Sequence, residues 1–265
     1  MRVSVLALFA ATLLIGPLLA GRARGAEPPV GPAQIALDQA SEQGQYSFLL
    51  FYEEDNPAVQ NMVRIVDREL AERADAAPIV FVQVTDPAEQ ATVARFNLAR
   101  APMPLLVALA PNGAVTGMFA RKLAAGDFAK AFVTPAMTRC MKAMQDGRLV
   151  IVCVETPDDA EMPEAVGRFQ EDPQFKNRLA LVSLMVDDPN EAKFLDEMRI
   201  DVAQVDGAIA VVLAPPGVLI GKFDDRSTAD DIAAAVHEAG QCCDDPNCRH
   251  NHPPRAKRTP APRSR

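Results

Sequence analysis

Cysteine is scarce in this chain: five residues among 265, too few for a fold built on disulfides. Net positive charge is absent. With 27 basic and 35 acidic residues the chain carries −8, which argues against nucleic acid as a partner of the whole molecule. Beyond the first 26 residues no apolar run is long enough to cross a bilayer. The body also contains no Ser-His-Asp arrangement, no phosphate-binding glycine loop and no paired-histidine metal motif. What is present is ample apolar material, 49% hydrophobic against 23% charged residues, enough for a buried core in one or two domains.

The charge is unevenly distributed. Residues 1–26 carry +3 from Arg2, Arg22 and Arg24. Residues 241–265 carry +4, and the body between them carries −15. The basic start is read as a signal peptide over 1–26. Arg2 precedes the apolar run VSVLALFAATLLIGPLLA, and Ala23 and Gly25 follow with the small side chains a signal peptidase requires. The run approaches membrane-spanning length, but Pro17 and the small-residue exit favour cleavage over anchoring. The expectation is an exported protein, periplasmic or secreted, without a transmembrane segment after cleavage.

Internal repetition organises the remainder. TDPAEQATVARFNL (85–98) aligns without a gap on DDPNEAKFLDEMRI (187–200), and LLVALAPNGAVTGMF (105–119) on IAVVLAPPGVLIGKF (209–223), seven of fifteen positions being identical. Both first segments open Asp-Pro-x-Glu. Asp can cap free helix amides, Pro suits the first helical position, and Glu three residues after the cap can return to the cap's own N–H. Each copy starts with a β-rich run (46–54 and 148–155). An amphipathic helix follows, with Val59, Met62, Val63, Val66 and Leu70 on one face in the first copy and Met162, Ala165, Val166 and Phe169 in the second. The apolar strands 77–84 and 179–186 read as covered on both faces, and two short strands about a Pro/Gly turn come next. A closing helix is expected at 134–147 in copy one and from Ser227 or Thr228 to Gly240 in copy two. A helix at about 33–43 precedes the first copy. The units are therefore 27–146 and 147–240, each an α/β domain with a mixed central sheet and helices on both faces.

On these residues the chain resembles the thioredoxin fold. The strand end LLFYEED, Met103-Pro104 before the next-to-last strand, and the Asn112-Gly113 hairpin turn carry the resemblance. It implies two thioredoxin-like domains in tandem and a cis proline at Pro104. Redox members need CxxC at the start of the first helix after that strand, where the helix N-terminus stabilises a thiolate. Here that stretch is Glu54-Asp55-Asn56-Pro57-Ala58-Val59 in copy one and Glu155-Thr156-Pro157-Asp158-Asp159-Ala160 in copy two, with no cysteine in either. Ala208 replaces the proline in copy two. The expectation is a redox-inactive protein, not an enzyme, that binds a protein or peptide partner and requires no cofactor. By resemblance the partner patch comprises Glu53, Glu54, Asp55, Asn56 and Pro57 with Met103 and Pro104.

Cys153, inside a strand, and Cys140, on the apolar helical face with Met137, Met141 and Met144, read as core residues; His237 reads as a helix-end residue. The remaining three cysteines lie in the tail, residues 241–265, where Cys242, Cys243, Cys248, His250 and His252 crowd into QCCDDPNCRHNHPP. Thiolate and imidazole at this spacing suit zinc or copper. A disulfide from Cys242 or Cys243 to Cys248, or free tail thiols acting as an atypical thiol–disulfide enzyme, are the alternatives. The Pro/Arg-rich end reads as disordered.

Overall fold

The computed structural model describes residues 30–71, 73–98, 100–157, 162–205 and 207–240. The leader at 1–26 and the Cys/His tail lie outside the described residues.

The first unit opens with α1 (Pro32–Glu42), followed by β1 (Tyr46–Tyr52), α2 (Pro57–Leu70), β2 (Ala76–Gln83), a 3-10 turn at Pro87–Glu89 and α3 (Gln90–Arg95). The hairpin β3 (Leu105–Leu109) and β4 (Val115–Ala120) and the short α4 (Ala125–Phe128) complete it. Its sheet runs β2-β1-β3-β4. β1 and β2 are parallel because α2 carries the chain across between them, while β3 pairs antiparallel with both β1 and β4. The second unit repeats the plan. After α5 (Pro135–Gln145) come β5 (Leu149–Glu155), α6 (Glu164–Gln170), β6 (Leu179–Met185), α7 (Ala192–Glu197), β7 (Ile209–Ala214), β8 (Val218–Phe223) and α8 (Ala229–Glu238). Its sheet runs β6-β5-β7-β8 with the same parallel and antiparallel pairings. Two four-stranded mixed sheets with helices are the doubled α/β architecture implied by the repeat, and the thioredoxin-like one implied by the resemblance.

Alternation along the central strands sends side chains to opposite faces. Leu49 and Phe51 pack with Ala33 and Leu37 of α1, while Phe48 and Leu50 pack with Val59, Met62 and Val66 of α2 and with Phe128 of α4. In the second sheet Val150, Val152 and Val154 take one face and Leu149, Ile151 and Cys153 the other, the latter against α6 and α8. The outer strands β2 and β6 are less covered than the apolar runs led us to expect. As sheet edges each has a neighbour on one side only, and Phe81 and Leu181 are exposed.

α5 departs from the sequence reading, in which it closes the first copy. Its buried Ala136, Cys140 and Ala143 pack on Val150, Val152 and Val211 of the second sheet. It stands there as α1 stands on the first sheet, and the helix preceding the first copy is thus no addition to the plan. Polar bonds tie α5 back to the first unit. The Gln145 amide donates to the carbonyl of Val115 at 2.7 Å and accepts from its N–H at 2.9 Å. Asn112 donates to the Thr138 carbonyl at 2.9 Å, and the Tyr46 hydroxyl donates to the Val133 carbonyl at 3.0 Å.

The Asp-Pro-x-Glu strings also act differently from the capping box expected of them. Asp86 and Asp188 do accept from the amides two residues on, at 2.8 and 2.9 Å. The glutamates reach a different helix. Glu89 Oε1 accepts from Ala33 N–H at the start of α1 at 3.0 Å, and Glu191 Oε1 from Ala136 N–H at the start of α5 at 2.7 Å. Both are buried, at 4% and 3% exposure, so each places a carboxylate at the positive end of a neighbouring helix. Contact at the first is so close that a Cβ on Gly31 would lie 2.5 Å from the Ala88 carbonyl oxygen; glycine there is a steric requirement.

Candidate functional site

The site expected from the sequence lies where β1 ends, α2 begins and β3 starts. Phe51 stands opposite Leu105 across the antiparallel pair, so the chain continuing from β1 runs beside Met103 and Pro104 at the same end of the sheet. The Met103-Pro104 bond is cis. Pro104 is buried, and its carbonyl accepts from Arg121 N–H at 2.7 Å. Met103 packs against the buried cluster that holds Phe51. Glu53, Glu54 and Asp55 are exposed, three carboxylates in sequence on the turn into α2. Asn56 caps that helix, its side-chain oxygen accepting from Ala58 N–H at 2.9 Å and Val59 N–H at 3.1 Å, and Pro57 takes the first helical position. The amides that would stabilise a thiolate at this helix start are therefore already engaged by an amide side chain.

A groove of about 500 Å³ opens beside this turn, lined by Tyr52, Asp55, Pro57, Val63, Arg64 and Phe81 among others. It takes Asp55 and Pro57 from the expected patch. Glu53, Glu54 and Asn56 lie along the same turn outside its wall, and Met103 and Pro104 are not among its lining residues. Sequence reasoning missed Tyr52, Arg64 and Phe81. Only the edge position of β2, which leaves Phe81 50% exposed, turns a strand phenylalanine into part of a binding wall. Arg64 sits in the same wall as Asp55, so the groove presents charges of both signs about an apolar floor.

The second unit offers a different surface. Ala208 is buried where copy one has its proline, and a cis bond lies instead at Pro215-Pro216 in the β7–β8 turn. Residues 158–161 of the corresponding helix approach lie outside the described residues.

Cys140 and Cys153 are free and 1% exposed. Burial pushes the Cys140 thiol up to about 12, and burial with Glu155 nearby pushes Cys153 up to about 11. Neither is a nucleophile at neutral pH, since the thiolate is the reactive form. Site-resolved alkylation should leave both unmodified in the native protein at neutral pH and label both in denaturant; native labelling at the rate of a free thiol would contradict this. Their protonated state favours the fold fully below the ordinary thiol value of 9.0 and is lost as pH rises through the folded values. His237, in the last turn of α8, sets its ring edge against Phe175 at 5.9 Å, as a helix-end residue should. Among the described residues no group of three or more His, Cys, Asp or Glu could hold a metal ion. No described helix is long and apolar enough to cross a membrane.

No protein-family model matches the chain, and no curated protein matches it. Its structure is similar to that of a thioredoxin from Thermus thermophilus, with 20% identity, 40% of this chain and 85% of the other covered, and a TM-score of 0.28. The first two thioredoxin domains of Saccharomyces cerevisiae Eps1p are 12% identical over 76% of this chain and 91% of theirs, with a TM-score of 0.28. Human ERp44 is 12% identical over 82% of this chain and 59% of its own, with a TM-score of 0.34. The strand order and pairing within each sheet are those of a tandem pair of thioredoxin-like domains.

Proposed function

We propose that the chain is an exported, redox-inactive thioredoxin-like protein that binds an extended peptide or protein segment in the groove between α2 and the β2 edge. The observation that carries this reading is the exchange at the start of α2. Asn56 occupies the amides a catalytic thiolate would use, and beside it lies a groove with an exposed aromatic wall. Grooves that combine an apolar floor with a few oriented charges are the usual form of a ligand site. The rim carboxylates Glu53, Glu54 and Asp55 favour a partner with basic residues flanking its apolar anchor. Export rests on the leader, and the absence of turnover on the missing CxxC.

Titration with peptides that carry one bulky apolar residue between lysines, followed by amide chemical shifts, tests the reading. Shifts confined to residues around Tyr52, Pro57, Arg64 and Phe81 are expected. Phe81→Ala should weaken binding by about tenfold, as loss of an aromatic anchor does, and charge reversal at Glu53, Glu54 and Asp55 should abolish the preference for basic flanks. Unchanged affinity in both variants, or reduction of insulin by the purified protein, would overturn it.

The second reading, a zinc- or copper-binding protein, is favoured by five donor residues falling within Cys242–His252. Metal content of the mature protein before and after truncation at Gly240 separates it from the first.

A further inference from the structure

α5 carries Met137, Met141 and Met144 at the spacing of one helical face. The structure adds what the sequence could not give, a cavity of about 230 Å³ beneath them. Its wall holds five sulfur-bearing side chains: those three methionines, Cys140 of the same helix, and Met198 at the end of α7. Four of the ten methionines in the chain thus line one cavity. Among the described residues Glu197 is the one charged residue lining it; its carboxylate also faces Lys193 at 3.9 Å, so the thioethers and not this charge make the site. Glu197, Pro216, Gly217 and Leu219 are exposed, so the cavity reaches the surface and an ion has a way in.

A wall needed only for packing would close on itself, because a void forfeits the dispersion contacts of its lining. Here α5 packs closely through Ala136, Cys140 and Ala143, and Met137 and Met144 rest on the same cluster, yet the methionine stripe still borders open space. Thioethers are neutral, soft donors. They bind Cu(I) in preference to Zn²⁺ or the hard cations, and they lose no proton on binding. We propose that this cavity binds one Cu(I) ion through the thioether sulfurs of Met137, Met141, Met144 and Met198. Its ligands are residues other than those of the groove beside α2 and other than the Cys/His donors of the tail.

The test uses the full chain with the tail donors removed (Cys242→Ser, Cys243→Ser, Cys248→Ser, His250→Ala, His252→Ala). This chain is titrated with Cu(I) under anaerobic conditions against a chromophoric Cu(I) chelator. One equivalent should be withdrawn from the chelator. The methyl resonances of Met137, Met141, Met144 and Met198 should shift while those of Met62 and Met118 stay in place, and copper X-ray absorption should show sulfur neighbours. Met141→Leu with Met198→Leu conserves volume and should lower the affinity by at least about tenfold, the loss that even a supporting residue of a metal site brings. Circular dichroism reports whether that variant folds. If it does not, Met137→Leu with Met144→Leu, both half-buried, supplies the same measurement. Failure of the tail-depleted chain to compete for Cu(I), full retention by the folded leucine variants, or equal occupancy of the cavity by Zn²⁺ would overturn the proposal.

Discussion

Phe48→Ala is expected to lower the stability of the first unit by about 3–5 kcal/mol, the range for deleting a buried phenylalanine. Phe48 is 0% exposed on the central strand β1. Its ring lies 5.0 Å from that of Phe128 and 5.8 Å from that of Phe132, so truncation removes its own burial and the aromatic contacts together. Relaxation into the space is limited, because the walls are a strand paired on both sides and the helix α2 packed above it. Urea unfolding followed by a probe in each unit measures the effect. The transition of the first unit should move to markedly lower denaturant, with that of the second moving less. Phe81→Ala is the control: the same deletion at a half-exposed edge position should change stability by no more than about 0.5 kcal/mol. Equal effects from the two substitutions would mean that β1 is not the centre of a packed core.

Glu191→Ala is expected to cost about 2 kcal/mol, within the range for a buried donor deprived of its acceptor. The donor is Ala136 N–H, in the first turn of α5, and the helix supplies no partner of its own for it. The carboxylate also faces the positive end of the helix dipole. The loss is bounded, since Glu191 Oε2 is buried without a hydrogen-bond partner among the described residues, and removing the side chain relieves that desolvation. Glu191→Gln keeps an acceptor oxygen and should lose about half as much. Hydrogen exchange is the sharper measurement. Amides in the first turn of α5 should lose protection in Glu191→Ala before the second sheet does, and Glu89→Ala should act in the same way on α1. A variant with unchanged exchange at α5 would refute the role assigned to this glutamate. Because α5 packs on the second sheet while Gln145, Thr138 and Val133 bond to the first unit, loosening it should also loosen the junction between the units.

Residues 30–240 disclose much of the fold in sequence. The gapless repeat, the strand runs expected at 46–54 and 148–155 (β1 Tyr46–Tyr52 and β5 Leu149–Glu155), the amphipathic face through Val59, Met62 and Val66, the cap at Thr134, and the cap expected at Ser227 or Thr228 and found at Thr228 appear in the structure close to where local pattern puts them. Each of these signals arises between residues a few positions apart, through periodicity, capping or turn chemistry. The same locality explains why the patch at the start of α2 was legible as a place, while its groove was not. Asn56 and Pro57 announce a helix start in their own sequence. Phe81 joins them only because β2 is the strand that ends the sheet.

Sequence by itself determined the α/β plan, its doubling, and the lack of cysteine at both helix starts where this fold would place CxxC. Tertiary structure alone decided which sheet α5 serves, which helix each buried glutamate caps, and which sulfurs share a cavity. α5 is apolar on more than one side, with Ala136, Cys140 and Ala143 on one stripe and Met137, Met141 and Met144 on the next, so its periodicity is compatible with either neighbour. Its assignment follows from the surface it buries against residues distant in the chain, a quantity that only the folded packing sets.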